Sequence, residues 1–278
     1  MTKAAKKKFL WCLICGGALL LAGLPGNPQA DEKAMKDAAH LYQQGRFAAA
    51  YDIWQAEADK GGADAQFNLS TLYLTGRGVD SNSEIAEKWL RKSADQGYPP
   101  ALHNLALQLI EQDRVDPALE FLEKAANKKF PASLYTLGKF HQVGLDGSAK
   151  PELAFKYVSK AAELGHMKAQ YNLGKMYRDG YAVPPNDTSS TAWFRRAAVQ
   201  GNTGAQIKLV SRYKEGRGVP IDKVEALKWY LISKAEQFPE GFSDMLSAEL
   251  TAAEKSRAEK EAAVFVPKKE AQSEQSGN

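Results

Sequence analysis

The segments AQFNLSTLYLTGRGVD from Ala65, AQYNLGKMYRDGYAVP from Ala169 and AQIKLVSRYKEGRGVP from Ala205 are variants of one pattern. The last two start 36 residues apart and the first two 104 apart, which fits a single period if one intervening copy is short. A repeat of that length predicts a succession of small supersecondary units, none able to bury its apolar face without a neighbour.

Aligned on one leucine, the copies give Leu69, Leu105, Leu137, Leu173 and Leu209 at steps of 36, 32, 36 and 36. An aromatic-rich column runs in step: Ile53, Trp89, Phe121, Tyr157, Trp193 and Trp229. Five places on come Ala58, Ala94, Ala126, Ala162 and Ala198, then Gly61, Gly97, Gly165 and Gly201. Each unit therefore reads as two helices. In the first, Leu69 and Tyr73 share a face. In the second, Ala86, Trp89 and Ala94 fall close to one face, so the aromatic column is expected to be buried.

The punctuation agrees. Gly76, Gly144, Gly180 and Gly216 stand where a first helix needs a left-handed closing residue. Val79, Val183 and Val219 are placed to tuck the loop back onto the pair. Asn82, Asn186 and Asp222 stand where the second helix starts, and Asp222 with Glu225 spells an Asp-x-x-Glu box. In the short copy that role is expected of Asp116 as cap and Pro117 as first helical residue. GRGV lacks the lysine and the following Ser/Thr of a phosphate loop, and it recurs as a connector.

The pattern A-x-x-x-L-G-x-x-Y-x-x-G-x-G-V, then an amide or acidic cap, A-x-x-W and A-x-x-G, resembles the Sel1-like repeat, a relative of the tetratricopeptide repeat. The copies at Ala169 and Ala205 match best, Ala65 follows, and those at Ala101 and Ser133 are degenerate. Residues from Ala34 to Gly61 look more like a tetratricopeptide unit. The resemblance implies an all-α, right-handed α-solenoid of about six helix-turn-helix repeats over residues 31–237, serving as a scaffold for protein assembly rather than as an enzyme. The alanine-rich stretch Ser247 to Ala263 resembles the solvating end helix such arrays need, so residues 238–263 are read as a cap. Residues 264–278 are polar and expected to be disordered.

Residues 1–30 have the layout of a secretory signal: a basic start, the apolar run Phe9 to Leu24, and NPQA ending at Ala30, the expected last residue removed. An uncleaved membrane anchor is the alternative, although 16 apolar residues fall short of the roughly 20 of a full span. Cys12 and Cys15 both lie in this run, so a mature chain has no thiol for disulfides, zinc sites or catalysis. The net charge of +4 also resides there, on Lys3, Lys6, Lys7 and Lys8. The remainder is balanced, which gives no drive towards nucleic acid. A periplasmic or secreted protein of bacterial type follows, with membrane contact only through an uncleaved N-terminus.

Candidate chemistry is sparse. His40, His141 and His166 have no partner at metal-ligand spacing, and His141 replaces the recurring tyrosine of Tyr73, Tyr177 and Tyr213. Ser211-x-x-Lys214 has no Lys-Thr-Gly after it, and Ser243-Asp244 continues with methionine. An envelope enzyme acting on peptidoglycan or β-lactams is thus the weaker alternative, and neither cofactor nor metal is expected. By resemblance to tetratricopeptide arrays, first helices line the concave side. Positions two before, two after and five after the key leucine then face the groove. They read Phe67, His103, Tyr135, Tyr171, Ile207; then Thr71, Leu107, Lys139, Lys175, Ser211; then Leu74, Ile110, Gln142, Arg178, Lys214. Asn68, Asn104 and Asn172 lie beside them as candidate holders of a peptide backbone. The expected partner is a protein or peptide segment, held by aromatic anchors, with lysine and arginine favouring an acidic one.

Overall fold

A computed structural model describes residues 31–144, 148–234 and 238–268, so the expected signal, 1–30, and the last ten residues lie outside the described residues. Every regular element among the described residues is a helix. The first five pairs are α1 (Glu32–Gln43) with α2 (Phe47–Asp59), α3 (Ala63–Thr75) with α4 (Ser83–Asp95), α5 (Pro99–Glu111) with α6 (Val115–Asn127), α7 (Pro131–Val143) with α8 (Pro151–Glu163), and α9 (Met167–Asp179) with α10 (Asp187–Val199). The sixth is α11 (Thr203–Glu215) with α12 (Lys223–Ser233), followed by α13 (Phe242–Ser247) and α14 (Ala252–Ala263). The chain divides into two compact units, Met1–Thr136 and Leu137–Asn278.

The key leucines are the hub of the first helices α3, α5, α7, α9 and α11. Leu69, Leu105, Leu137, Leu173 and Leu209 are all buried. In the second helices the buried stripe runs small, large, small at four-residue spacing: Ala50–Trp54–Ala58, Ala86–Leu90–Ala94, Ala154–Val158–Ala162 and Ser190–Phe194–Ala198. Four-residue steps stay on one helix face. This corrects the aromatic column. Trp89, Phe121, Tyr157 and Trp193 each precede the stripe by one residue, about 100° around the helix, and are only half-buried. Three of them carry a cation from the next turn instead: Lys92 over Trp89 at 4.0 Å, Lys124 over Phe121 at 5.3 Å and Arg196 over Trp193 at 4.4 Å. Trp229 alone in the column is buried, because Phe265 packs edge-on against it and Glu225 accepts from its indole N–H at 3.0 Å.

Caps follow the sequence at most ends. Gly76, Gly180 and Gly216 close α3, α9 and α11 in the left-handed conformation, while Asn82, Asn186 and Asp222 accept backbone N–H bonds at the starts of α4, α10 and α12. Two local readings change. Helix α6 starts at Val115 with Arg114 as its uncapped first flank, so Asp116 and Pro117 lie inside its first turn rather than before it. Glu225 turns to Lys228 and Trp229 instead of closing a box with Asp222; the closed capping box is Thr251 with Glu254, at the start of α14.

The GRGV loop has a packing reason. Gly218 has φ +74, and a Cβ there would run into the backbone of Asp187 at the start of α10. A side chain is excluded by both conformation and space. Beyond α14, Phe265 lies against Trp229 and the Lys268 N–H donates to the Val199 carbonyl at 3.0 Å, so the tail is placed as far as Lys268.

Candidate functional site

The expected groove residues fall on the first helices and differ between the units. In the first unit, Phe67 of α3 is half-buried against Tyr98 at 5.6 Å, and His103 of α5 against Phe130 at 5.6 Å. The His103 Nδ1 lies 3.0 Å from the Ser133 hydroxyl. Asn68, Asn104 and Tyr135 are half-buried, and Leu74 stands 62% exposed at the end of α3. Ile110, read as facing the groove, is instead core. The first row thus sits where one helix pair meets the next, an aromatic edge with part of its surface open.

In the second unit the cations cluster on α9. Tyr171 is half-buried, tilted against Phe194 at 5.7 Å, and its ring lies 3.2 Å from where a Cβ on Gly204 would stand. Lys175, one turn on, holds its ammonium 5.8 Å from the Tyr171 ring centre. Arg178 gives two hydrogen bonds to Asp179, at 2.6 and 2.8 Å. That carboxylate raises the guanidinium pKa and is itself held below its usual range by Arg178. Lys139 donates to Gln142 at 2.7 Å, and Asn172 donates to the Lys168 carbonyl of its own helix at 3.0 Å. Lys214 is exposed with its ammonium 5.5 Å from the Phe242 ring, so α13 reaches the same face of α11. The structure brings Tyr171, Lys175 and Arg178 together on one helix. Basic charge there is tempered by Asp179.

Several residues escaped the sequence reading. Gln66, Gln170 and Gln206 make one bond three times: each buried amide donates to the carbonyl of Ala58, Ala162 or Ala198, eight residues before it, at 3.2–3.3 Å. Gln96 donates to Gln66, and Gln200 to Gln170, tying second helices back to first. The AQ dipeptide opening three copies was the available signal. Arg212 is buried, pairs with Asp187 and Ser190, and lies over the Phe194 ring, a staple between adjacent pairs.

The described residues hold no His/Cys/Asp/Glu group able to take a metal ion, and none of their helices is long and apolar enough to cross a membrane. His166 has its pKa lowered to about 4 by burial, with Lys168 adding to the shift. Its Nδ1 accepts the Ala169 N–H at 3.2 Å, so the neutral ring is a helix cap. His141 stacks on Tyr157 at 5.6 Å, a packing residue.

The fold has solved counterparts. A Sel1 repeat protein from Oxalobacter formigenes matches 82% of this chain and 98% of its own, with 22% identity and a TM-score of 0.66. Immunity protein PA5088 from Pseudomonas aeruginosa matches 80% of this chain and 85% of its own, with 24% identity and a TM-score of 0.52. These likenesses establish the α-solenoid class of helix pairs. F-box protein At1g70590 from Arabidopsis thaliana is 36% identical over 87 residues, 31% of this chain, and the match spans about a quarter of that protein (24%). The repeat fold is typically a non-enzymatic scaffold, and proteins built from it are generally protein-interaction modules. The Sel1 repeat model matches residues 63–98, 99–130, 131–166, 168–202 and 205–235, more than half of the sequence, and the chain belongs to the Sel1 repeat family.

Proposed function

We propose that this protein is an exported, non-catalytic adaptor of the bacterial cell envelope that captures an acidic segment of a partner protein along α9. The observation that carries the reading is the Tyr171–Lys175 pair, a half-buried aromatic face with an ammonium 5.8 Å from its centre. An aromatic held by packing loses little entropy on binding, and a neighbouring lysine favours an acidic ligand. The signal-like residues 1–30, with processing after Ala30, support export. Tyr171 serves as the anchor, Lys175 and Lys214 steer, and Arg178 contributes once Asp179 shares it.

Capture from an envelope extract with wild type, Tyr171→Ala and Lys175→Glu tests this, with melting curves on the same proteins. Tyr171→Ala is expected to weaken the captured partner by about 2 kcal/mol. Lys175→Glu should slow association and reduce its salt dependence. Unchanged affinity in both folded variants would overturn this site.

A further inference from the structure

Helix α2 carries one carboxylate that its counterparts lack. Glu57 is 3% exposed, whereas the same register position in the later second helices is Ser93, Ala125, Ala161, Ala197 and Ser233, all buried. A carboxylate in a column of serine and alanine is costly unless donors meet its oxygens. Oε1 accepts from the Lys60 ammonium at 2.7 Å, a partner that is itself 59% exposed. Oε2 accepts from the backbone N–H of Asp31 at 2.9 Å. Asp31 is the residue that follows the proposed processing point, and it also caps α1 through Lys33 N–H and Ala34 N–H.

We propose that Glu57 is the docking carboxylate for a new N-terminus created by hydrolysis between Ala30 and Asp31, an inference that rests on the export reading. Water adds across that peptide bond, leaving a carboxylate on Ala30 and an amine on Asp31, which takes up a proton at neutral pH. The resulting ammonium is centred on the atom that already donates to Glu57. A neutral donor becomes a cation at a nearly buried anion, so the hydrogen bond becomes a charge-assisted one. The other charged groups facing Glu57 are Lys60, the Asp31 carboxylate and Asp64 of α3. Before processing, Lys60 is the one cation among three carboxyl groups; afterwards there are two. Lys60 and the Asp31 N–H hold the Glu57 carboxyl below its usual range, while burial raises that of Asp64. Glu57 is thus ready to receive a positive charge. Processing then sharpens the first helix pair of the array.

The test uses the full chain expressed in a bacterial host, recovered from the envelope and sequenced from its N-terminus. The Asp31 amine is then acetylated at pH 7 with limiting acetic anhydride in wild type and Glu57→Gln. Acetylation should be roughly tenfold faster in the variant, the factor that one pKa unit represents. Its pH profile should give the wild-type amine a pKa above the ordinary α-amino range of about 7.7–8.0. An ordinary wild-type value overturns the docking even where Glu57→Gln does not fold. Equal rates on a chain that starts at Asp31 overturn the docking and leave export standing. A chain recovered from the envelope that starts at another processed residue overturns the docking alone, and a chain absent from the envelope overturns both.

Discussion

The pairs α9–α10 and α11–α12 are the two best copies of the pattern, yet they fill their interiors in opposite ways. In the first, Gly174 follows the key leucine, and a Cβ there would meet the Phe194 ring at 2.7 Å. Phe194 is fully buried in the space that the glycine leaves. In the second, Val210 occupies the glycine's place and is itself fully buried. Tyr230, the counterpart of Phe194, turns to Phe238 and Phe242 at 5.2 and 5.5 Å. Volume is exchanged between facing positions while the backbone pattern stays the same. Gly138 against Val158, in the preceding pair, repeats the glycine arrangement with a smaller partner.

That contrast makes Phe194 the residue whose loss should hurt most. Phe194→Ala opens a cavity against Gly174, which cannot fill it, and should cost about 3–5 kcal/mol. The neighbouring Trp193→Ala should cost clearly less, since Trp193 is half-buried under Arg196. Denaturant melts of the two variants check this. Equal losses would mean that the adjacent columns are not distinct. In a one-dimensional array, hydrogen exchange in Phe194→Ala should rise first in α9 to α11.

The period, the helix pairs and most helix ends are legible in the sequence because each depends on short-range chemistry. A left-handed closing glycine, an amide cap and small residues at four-residue spacing all announce themselves. Which of two adjacent large residues faces the core is not legible in the same way. Trp193 and Phe194 differ by one step of helix rotation, and tryptophan draws the eye while the alanine stripe selects phenylalanine. The candidate site was legible as a set of positions on first helices, which is where Tyr171 and Lys175 stand. Its charge state was not: Asp179 is only one residue after Arg178, and nothing in the repeat pattern says that it folds back to pair with it. Glu57 escaped for the opposite reason. Besides Lys60, its partner is the backbone N–H of Asp31, which no side-chain pattern marks.

The starts of the same two pairs sharpen the comparison by pH. His166 caps α9 through Nδ1 and Asn202 caps α11 through its side-chain oxygen, each accepting the N–H three residues on. Only the neutral imidazole can accept there, and burial lowers its pKa to about 4 from the ordinary 6.5. The unfolded chain therefore binds the proton more readily than the folded one. This stability is fully present above pH 6.5 and is lost as pH falls towards 4. The loss should be about 2 kcal/mol, less than the full shift implies because His166 is only half-buried. His166→Asn should keep the neutral-pH melting temperature, as the Asn202 cap does, and flatten the decline between pH 6.5 and 4. A decline equally steep in the variant would show that other groups carry it.

The smallest expected effect lies in the loops between the helices of these pairs. Gly218 and Ala182 are counterparts, and both adopt positive φ, +74 and +59. Alanine in that region carries a steric penalty that glycine does not, on the order of 1 kcal/mol. Glycine in turn gives the unfolded chain more freedom, which removes part of the gain. Ala182→Gly should therefore stabilise the α9–α10 pair by about 0.5 kcal/mol, read as a higher denaturant midpoint at unchanged slope. A lower midpoint would mean that the Ala182 methyl makes contacts worth more than its backbone strain. The two loops would then differ in packing as well as in the residue at their turn.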